Sequence, residues 1–416
     1  MKVCIVGTGI SGLVAAHGLH QDHDLSIYEA APRLGGHTHT VDVKVGSETL
    51  QLDTGFIVFN ERTYPGFCGL LRELNVPWKK SNMSFSVSCS QTGLEYNGTD
   101  FNGMFAQRKN LLRPRFWGML HDIMRFYREA PLVLGRPDDG TTLGQYLDAN
   151  NYSRLFVEKH LIPMGAAVWS ATAQTMREFP LRFLVQFFHN HGFMQVADRP
   201  DWLVVKGGSR EYLKPLVEPF KDRIQLDHGV TRVERTPRGV RVVTNRGEDN
   251  LFDRVILATH GDTSLQLLGD ACPLEREILG SFKFQRNQVL LHTDRRLMPL
   301  RRRAWASWNY HVRDTHQELP AVTYWMNNLQ GIDGDQDYMV TLNRNESVDQ
   351  RQVLGSYVYH HPIFTAASTR AQERHAEIDG KQGVHFCGAY WRYGFHEDGV
   401  QSALRVLKNI KDEVLV

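Results

Sequence analysis

The sequence predicts an α/β protein: a Rossmann-like dinucleotide-binding domain into which an α+β substrate domain is inserted. Three observations carry that expectation. The chain opens with a strand, a glycine-rich turn and a helix, and an acidic residue stands at the tip of the next strand. It closes with a strand, a glycine and a helix. Between these ends, stretches that suit a dinucleotide fold alternate with stretches of another character. At 416 residues the chain exceeds what one compact core usually holds, which agrees with two interleaved domains.

Met1 to Val6 (MKVCIV) is a short apolar run suited to a buried parallel strand. Gly7-Thr8-Gly9-Ile10-Ser11-Gly12 follows and satisfies G-x-G-x-x-G, leading into a helix-like stretch from Leu13 to His20. A second strand, Leu25 to Tyr28, ends at Glu29. The glycine motif alone is weak. Between a strand and a helix, with an acid closing the next strand, it is specific for a dinucleotide. Gly7 permits the tight turn, Gly9 lets the backbone approach a pyrophosphate, and Gly12 lets helix pack on strand. The helix start offers free N–H groups and partial positive charge to phosphate, and Glu29 can accept hydrogen bonds from ribose hydroxyls.

The next residues separate one dinucleotide from another. Glu29-Ala30-Ala31-Pro32-Arg33-Leu34-Gly35-Gly36 resembles the E-x-x-x-R-x-G-G extension of the flavin amine oxidase and phytoene desaturase superfamily. The resemblance implies FAD rather than NAD, a glutathione-reductase-like cofactor domain and an amine-oxidase-like whole. In that superfamily the arginine and paired glycines let a second segment cross close to the pyrophosphate. Val384 to Ala389 reads as a strand running into a glycine turn, followed by Gly399-Val400 and an apolar helix from Gln401 to Leu407. The superfamily returns such a helix to the flavin pyrimidine edge, where its dipole favours negative charge. An acid often follows the glycine there, and this chain has Ala389 instead.

Central segments supply the remaining parts in the same order as the superfamily. Gln225 to Val233 resembles a strand that holds adenine, with Val230 as the contact. Val255 to Thr259 resembles the strand whose Ala-Thr end closes over the dinucleotide, and Trp202 to Tyr212 resembles the turn re-entering the cofactor domain. The cofactor contacts so implied are Gly7, Gly9, Ile10, Ser11, Gly12, Glu29, Ala30, Arg33, Gly35, Gly36, His37, Thr38, Gly55, Phe56, Val230, Ala258, Gly388, Ala389, Gly399 and Val400. The cofactor domain is expected over 1–75, 205–280 and 371–416, and the substrate domain over 76–204 and 281–370.

Within the substrate domain, Phe116 to Glu129 and Leu181 to His189 read as amphipathic helices, while residues 281 to 370 alternate apolar and polar like a sheet roofing the flavin. Arg115 to Tyr127 (RFWGMLHDIMRFY) fits a core-facing helix or one that dips into lipid. Arg301, Arg302 and Arg303 fit a solvated loop or a contact with anionic headgroups.

A narrower resemblance rests on GGHTHTV (35–41), LDTGFIVFN (52–60), NMSFSV (82–87), TYWMNNLQ (323–330) and FCGAYWRYGFHEDG (386–399). These resemble the flavoprotein family that includes the N-terminal region of plant cyclopropane-fatty-acid synthases. That likeness implies a fatty-acyl or phospholipid-bound acyl substrate and a cyclopropane-fatty-acid-synthase-like methyltransferase as partner.

Candidates for chemistry must lie near the flavin ring, because the protein's task there is positioning, water exclusion and charge tuning. His37 follows the glycine pair, and His396 and Glu397 precede the apolar C-terminal helix. These three are the candidate acid–base residues, and a packing role is the competing reading for each histidine, more so for His39. His396-Glu397 is no zinc motif, because Val400 stands where H-E-x-x-H needs histidine, so no metal is expected. Amine oxidation is not favoured: Phe395 falls where amine oxidases place a tyrosine of their aromatic cage, and Cys387 lies inside its strand.

The expected reaction is FAD-dependent dehydrogenation or desaturation of an unsaturated or methyl-branched acyl chain, with hydride transfer to flavin N5. A flavin amine oxidase and a non-catalytic or redox-neutral flavoprotein partner of the methyltransferase are the alternatives. A balance of 48 basic to 46 acidic residues argues against nucleic-acid binding. Five scattered cysteines without a C-x-x-C pair fit a reducing, cytoplasmic setting, with peripheral contact at the inner membrane face as a further option.

Overall fold

The computed structural model describes residues 1–196, 198–313 and 319–414. A parallel five-stranded sheet carries the two chain ends. Its centre is β1 (Lys2–Val6), which pairs with β2 (Asp24–Tyr28) on one side and the strand Arg254–Leu257 on the other. The strand Val384–Phe386 and the short strand Ile224–Gln225 form the edges. Cys4, Ile5, Ile27, Val255 and Ile256 are fully buried, which explains the near-continuous apolar runs in these strands: both faces are covered. Helix α1 (Ile10–Leu19) covers one face together with the C-terminal helix His396–Val414. The two approach closely where Gly18 meets Leu407.

The segment expected as one strand over 225–233 is broken in two. Pairing stops after Gln225 and resumes at Val230, because Asp227 takes a left-handed conformation (φ 50°). Val230 then belongs to a separate three-stranded sheet, opposite Thr244.

A hairpin of β3 (Thr40–Val45) and β4 (Glu48–Asp53) leads away from the first β-α-β unit to helix α2 (Pro65–Glu73). A seven-stranded sheet roofs the cofactor side, as the alternation over 281–370 predicts. Its order runs Val353–Ile363, Lys283–His292, Met339–Leu342, Ala321–Trp325, Trp308–Val312, Phe85–Cys89, Leu94–Asn97. The last two strands come from the stretch read for its helices, and Phe85–Cys89 joins in parallel register with Trp308–Val312. The helices Pro114–Glu129 and Leu181–Asn190 pack below, burying Phe116, Met119, Ile123 and Phe126 of the first. Among the described residues no helix is long and apolar enough to cross a membrane.

Candidate active site

One cavity of about 620 Å³ runs from the carboxyl ends of β1 and β2, past the glycine pair, to beneath the seven-stranded sheet. Its first half is the glycine-rich turn. Gly7 has φ +101°, and a Cβ there would lie 2.9 Å from the Ala258 carbonyl oxygen. At Gly12 a Cβ would come within 1.9 Å of the Gly7 carbonyl, so neither position accepts a side chain. Helix α1 begins at Ile10 with no side-chain cap and no acid in its first turn, which leaves its N–H groups for an anion. The Glu29 carboxylate accepts from Thr8 N (2.8 Å), Thr8 Oγ1 (2.6 Å) and Ala31 N (2.9 Å). A carboxylate has about four lone-pair sites, so one remains for a ribose hydroxyl.

Gly7, Gly9, Ile10, Ser11, Glu29, Ala30, Gly35, Gly36, His37, Gly55, Phe56, Ala258, Gly388 and Ala389 all line this cavity. Six other expected contacts do not line it. Gly12 is held against Gly7, and a Cβ on Gly399 would collide with Ile10 and Ser11, so Gly399 and Val400 set how closely the C-terminal helix meets α1. Arg33 donates to the carbonyls of Leu34, Gly36 and Thr38 and so pins the glycine loop. Thr38 is buried in a polar network, and Val230 sits in its separate sheet. The uncapped helix, the residual acceptor on Glu29 and the open space at Gly9, where a Cβ would meet nothing within 4 Å, fit FAD.

His396 and Glu397 lie inside the first turn of the C-terminal helix rather than before it. Asp398 starts that helix early, its carboxylate accepting from Phe395 N at 2.9 Å. Burial pushes the Asp398 carboxyl up to about 7. The His396 ring stacks on Phe56 at 3.6 Å, and its Nε2 meets Tyr212 Oη (2.9 Å) and Thr38 Oγ1 (3.1 Å). Burial holds it down to about 3, hence neutral. It lines the cavity as a packed, hydrogen-bonded ring. Glu397 does not line the cavity. Its two oxygens accept from Gly66 N (3.0 Å) and Phe67 N (2.9 Å), capping α2, so its surroundings support a structural role in place of acid–base chemistry.

His37 stands with other rings at the junction between the two halves of the cavity. Its ring centroid is 5.2 Å from Tyr359, 5.6 Å from His361 and 6.3 Å from His260. Burial, then the neighbouring His361 and His260, hold His37 well below the ordinary imidazole range. His361 Nδ1 is 2.8 Å from Ser170 Oγ, a pair that sequence reasoning missed. Ser170 ends the helix Ile162–Trp169 in a left-handed conformation (φ 54°, ψ 31°), which turns its hydroxyl toward the strand Val353–Ile363. Burial, then His260 and His360, push His361 down to about 4. No motif links residues 170 and 361, and the only sequence signal was the His360-His361 doublet on an alternating strand. His39 does not line the cavity, and its Nδ1 lies 2.8 Å from both Thr54 Oγ1 and Tyr359 Oη, which do. Among the described residues no three His, Cys, Asp or Glu side chains converge on a metal position.

The second half of the cavity is apolar. Phe187 sits among Trp169 (4.8 Å), Phe395 (5.0 Å), Tyr393 (5.4 Å) and His191 (3.9 Å), and Trp169 Nε1 donates to the Tyr393 carbonyl at 3.2 Å. Tyr64, Met83, Val168, Val289, Trp308 and Leu342 complete the walls. Glu29 is the one carboxylate among all the lining residues, and it lies at the glycine-turn end.

Comparison with known proteins bears on the fold and the family. The chain resembles cyclohexylamine oxidase from Brevibacterium oxydans IH-35A (TM-score 0.69, 15% identity, 100% of this chain and 99% of that one). It is equally similar to a putative protoporphyrinogen oxidase from Exiguobacterium sp. 255-15 (TM-score 0.70, 16% identity, 99% of each chain). A CLA-producing fatty acid isomerase from P. acnes shares the fold at a TM-score of 0.71 and 14% identity over 98% of each chain. At these identities the likeness shows the fold alone. No curated protein matches the sequence. The family model of flavin-containing amine oxidoreductases matches residues 10–297, more than half of the chain. This chain is an FAD-dependent oxidoreductase and belongs to the flavin-containing amine oxidoreductase family.

Proposed function

We propose that the protein oxidises an apolar, acyl-type substrate, by dehydrogenation of an unsaturated or methyl-branched chain. The observation that carries this reading is the second half of the cavity: aromatic and aliphatic walls with no carboxylate to pair with an ammonium group. FAD bound along the first half supplies a two-electron hydride acceptor.

The chain's own residues orient, dry and deprotonate. Phe187, Trp169, Tyr393 and Phe395 exclude water and hold an alkyl chain by contact. His361, neutral because burial holds its pKa near 4, can take a proton at Nε2 while Ser170 fixes Nδ1. A redox-neutral double-bond shift within the same chain is the second reading, favoured by the fold shared with a fatty acid isomerase. Incubation with monounsaturated and methyl-branched lipids, followed by mass spectrometry of the acyl chains, tests both. Loss of two hydrogens supports dehydrogenation, and an unchanged mass with a moved double bond supports isomerisation. Turnover of small primary amines with inert acyl chains contradicts the proposal.

A further inference from the structure

Two stretches that sequence reasoning left ambiguous, the 115–127 helix and the 301–303 arginines, meet on one face of the molecule. The short helix Phe101–Met104 lies beside the turn Arg302–Ala304, and the strand Leu94–Asn97 underlies both. Asn97 Nδ2 donates to the Trp305 carbonyl at 2.8 Å, and Glu95 accepts from Leu300 N at 2.7 Å. On the other side Phe105 bridges Phe101 (4.7 Å) and Trp117 (5.3 Å). Trp117 Nε1 in turn donates to the Leu111 carbonyl at 2.9 Å. The helix Pro114–Glu129 buries Phe116, Met119, Ile123 and Phe126 and presents Trp117 and Met124, two turns apart, to solvent.

The exposure on this face is unusual for a monomer. Phe101 is 63%, Leu112 87%, Trp117 47% and Leu300 91% exposed. Around them stand Arg108, Lys109, Arg113 and Arg303, none of which pairs with a carboxylate among the described residues. The whole chain carries a formal charge of only +2, so this is a local concentration of unpaired positive charge.

We propose that this face is a docking surface for a bilayer containing anionic phospholipid. Large aliphatic and aromatic side chains enter the acyl boundary, and the basic ring meets the headgroup phosphates. A nucleic acid would use the basic ring but leave Leu112 and Leu300 in water. A second copy docked face to face would bring four unpaired cations against their own images. The proposal stands on surface chemistry and does not depend on which substrate the cavity takes.

Co-sedimentation of the FAD-loaded protein with vesicles tests it, using phosphatidylcholine alone and phosphatidylcholine mixed with phosphatidylglycerol. Binding to the mixed vesicles, weakened by salt, and little to the neutral ones is expected. Each basic residue near such a surface is worth about fivefold in partition, so Lys109→Gln and Arg303→Gln together are expected to lower binding about twenty-five-fold. Neither of these two side chains makes a hydrogen bond or ion pair among the described residues, so folding is retained, checked by the bound flavin's absorbance. Leu112→Ser with Leu300→Ser is expected to lower it roughly tenfold or more. The proposal is overturned by no binding to mixed vesicles, equal binding to neutral vesicles, or binding that neither variant changes. Heparin binding insensitive to the leucine pair, or a concentration-dependent dimer that this pair abolishes, would also overturn it.

Discussion

Replacing Glu397 separates a structural carboxylate from a chemical one. Its oxygens accept from Gly66 N and Phe67 N, the first free donors of α2, and the side chain is buried. Each hydrogen bond to a charged acceptor contributes about 1.5–3 kcal/mol, and Gln401 Nε2 at 2.7 Å adds a third contact. Water reaches the half-buried Gly66 more readily than the buried Phe67. Glu397→Ala is therefore expected to cost about 3–4 kcal/mol of stability. Unfolding entropy of roughly 2.1 cal/mol/K per residue over this chain converts that cost into a Tm lower by about 3–5 °C. Glu397→Gln keeps one acceptor oxygen and is expected to lose about half as much. Thermal unfolding followed by flavin fluorescence measures the loss, and turnover is expressed per mole of bound flavin. Turnover is expected to stay within about twofold of the parent. A drop of a hundredfold or more with unchanged Tm, the size expected for a lost general acid or base, would refute the capping role.

Further outcomes follow from the same geometry. His361→Ala is expected to reduce turnover by about 10²–10⁴ with FAD retained, and Ser170→Ala to shift the acidic limb of the pH–rate profile, because Ser170 holds the Nδ1 of His361. Identical profiles for Ser170→Ala and the parent would count against that pairing. Glu29→Ala is expected to weaken FAD binding about ten- to a hundredfold in equilibrium dialysis, from loss of the ribose acceptor and of the bonds that hold Thr8. Asp398 is an acid whose folded pKa, about 7, lies above its unfolded value, so its stability contribution is present below about pH 4 and lost as pH rises through 7. Asp398→Asn retains an acceptor for Phe395 N and is expected to flatten denaturation midpoints across that window. An unchanged slope would show the carboxylate to be ionised in the folded protein.

The glycine-rich turn was legible because its constraints are local. Gly7, Gly9, Gly12 and Glu29 fall within one β-α-β unit, and steric clash leaves glycine as the only residue at two of them. The outer shell was harder to read. Arg33, Thr38, Gly399 and Val400 sit in the recognised segments but act on the loop and the helix crossing, a distinction that spacing does not contain. The Ser170–His361 pair was invisible because a left-handed helix end meets a strand from the other end of the chain. Glu397's contacts were hidden for a related reason. An acid beside a histidine looks chemical in one dimension, whereas its partners belong to α2 at the start of the chain. The break between Gln225 and Val230 turned on one residue, Asp227, adopting a conformation that a β-like pattern does not announce.

The most direct test of the central claim is anaerobic absorbance of the purified holoenzyme, before and after adding monounsaturated or methyl-branched phospholipid. The walls around Phe187 and the absence of a carboxylate among them predict bleaching of the flavin band by the acyl lipid and none by putrescine or cyclohexylamine. Bleaching by the amines, with a flavin band indifferent to every acyl chain, would contradict it.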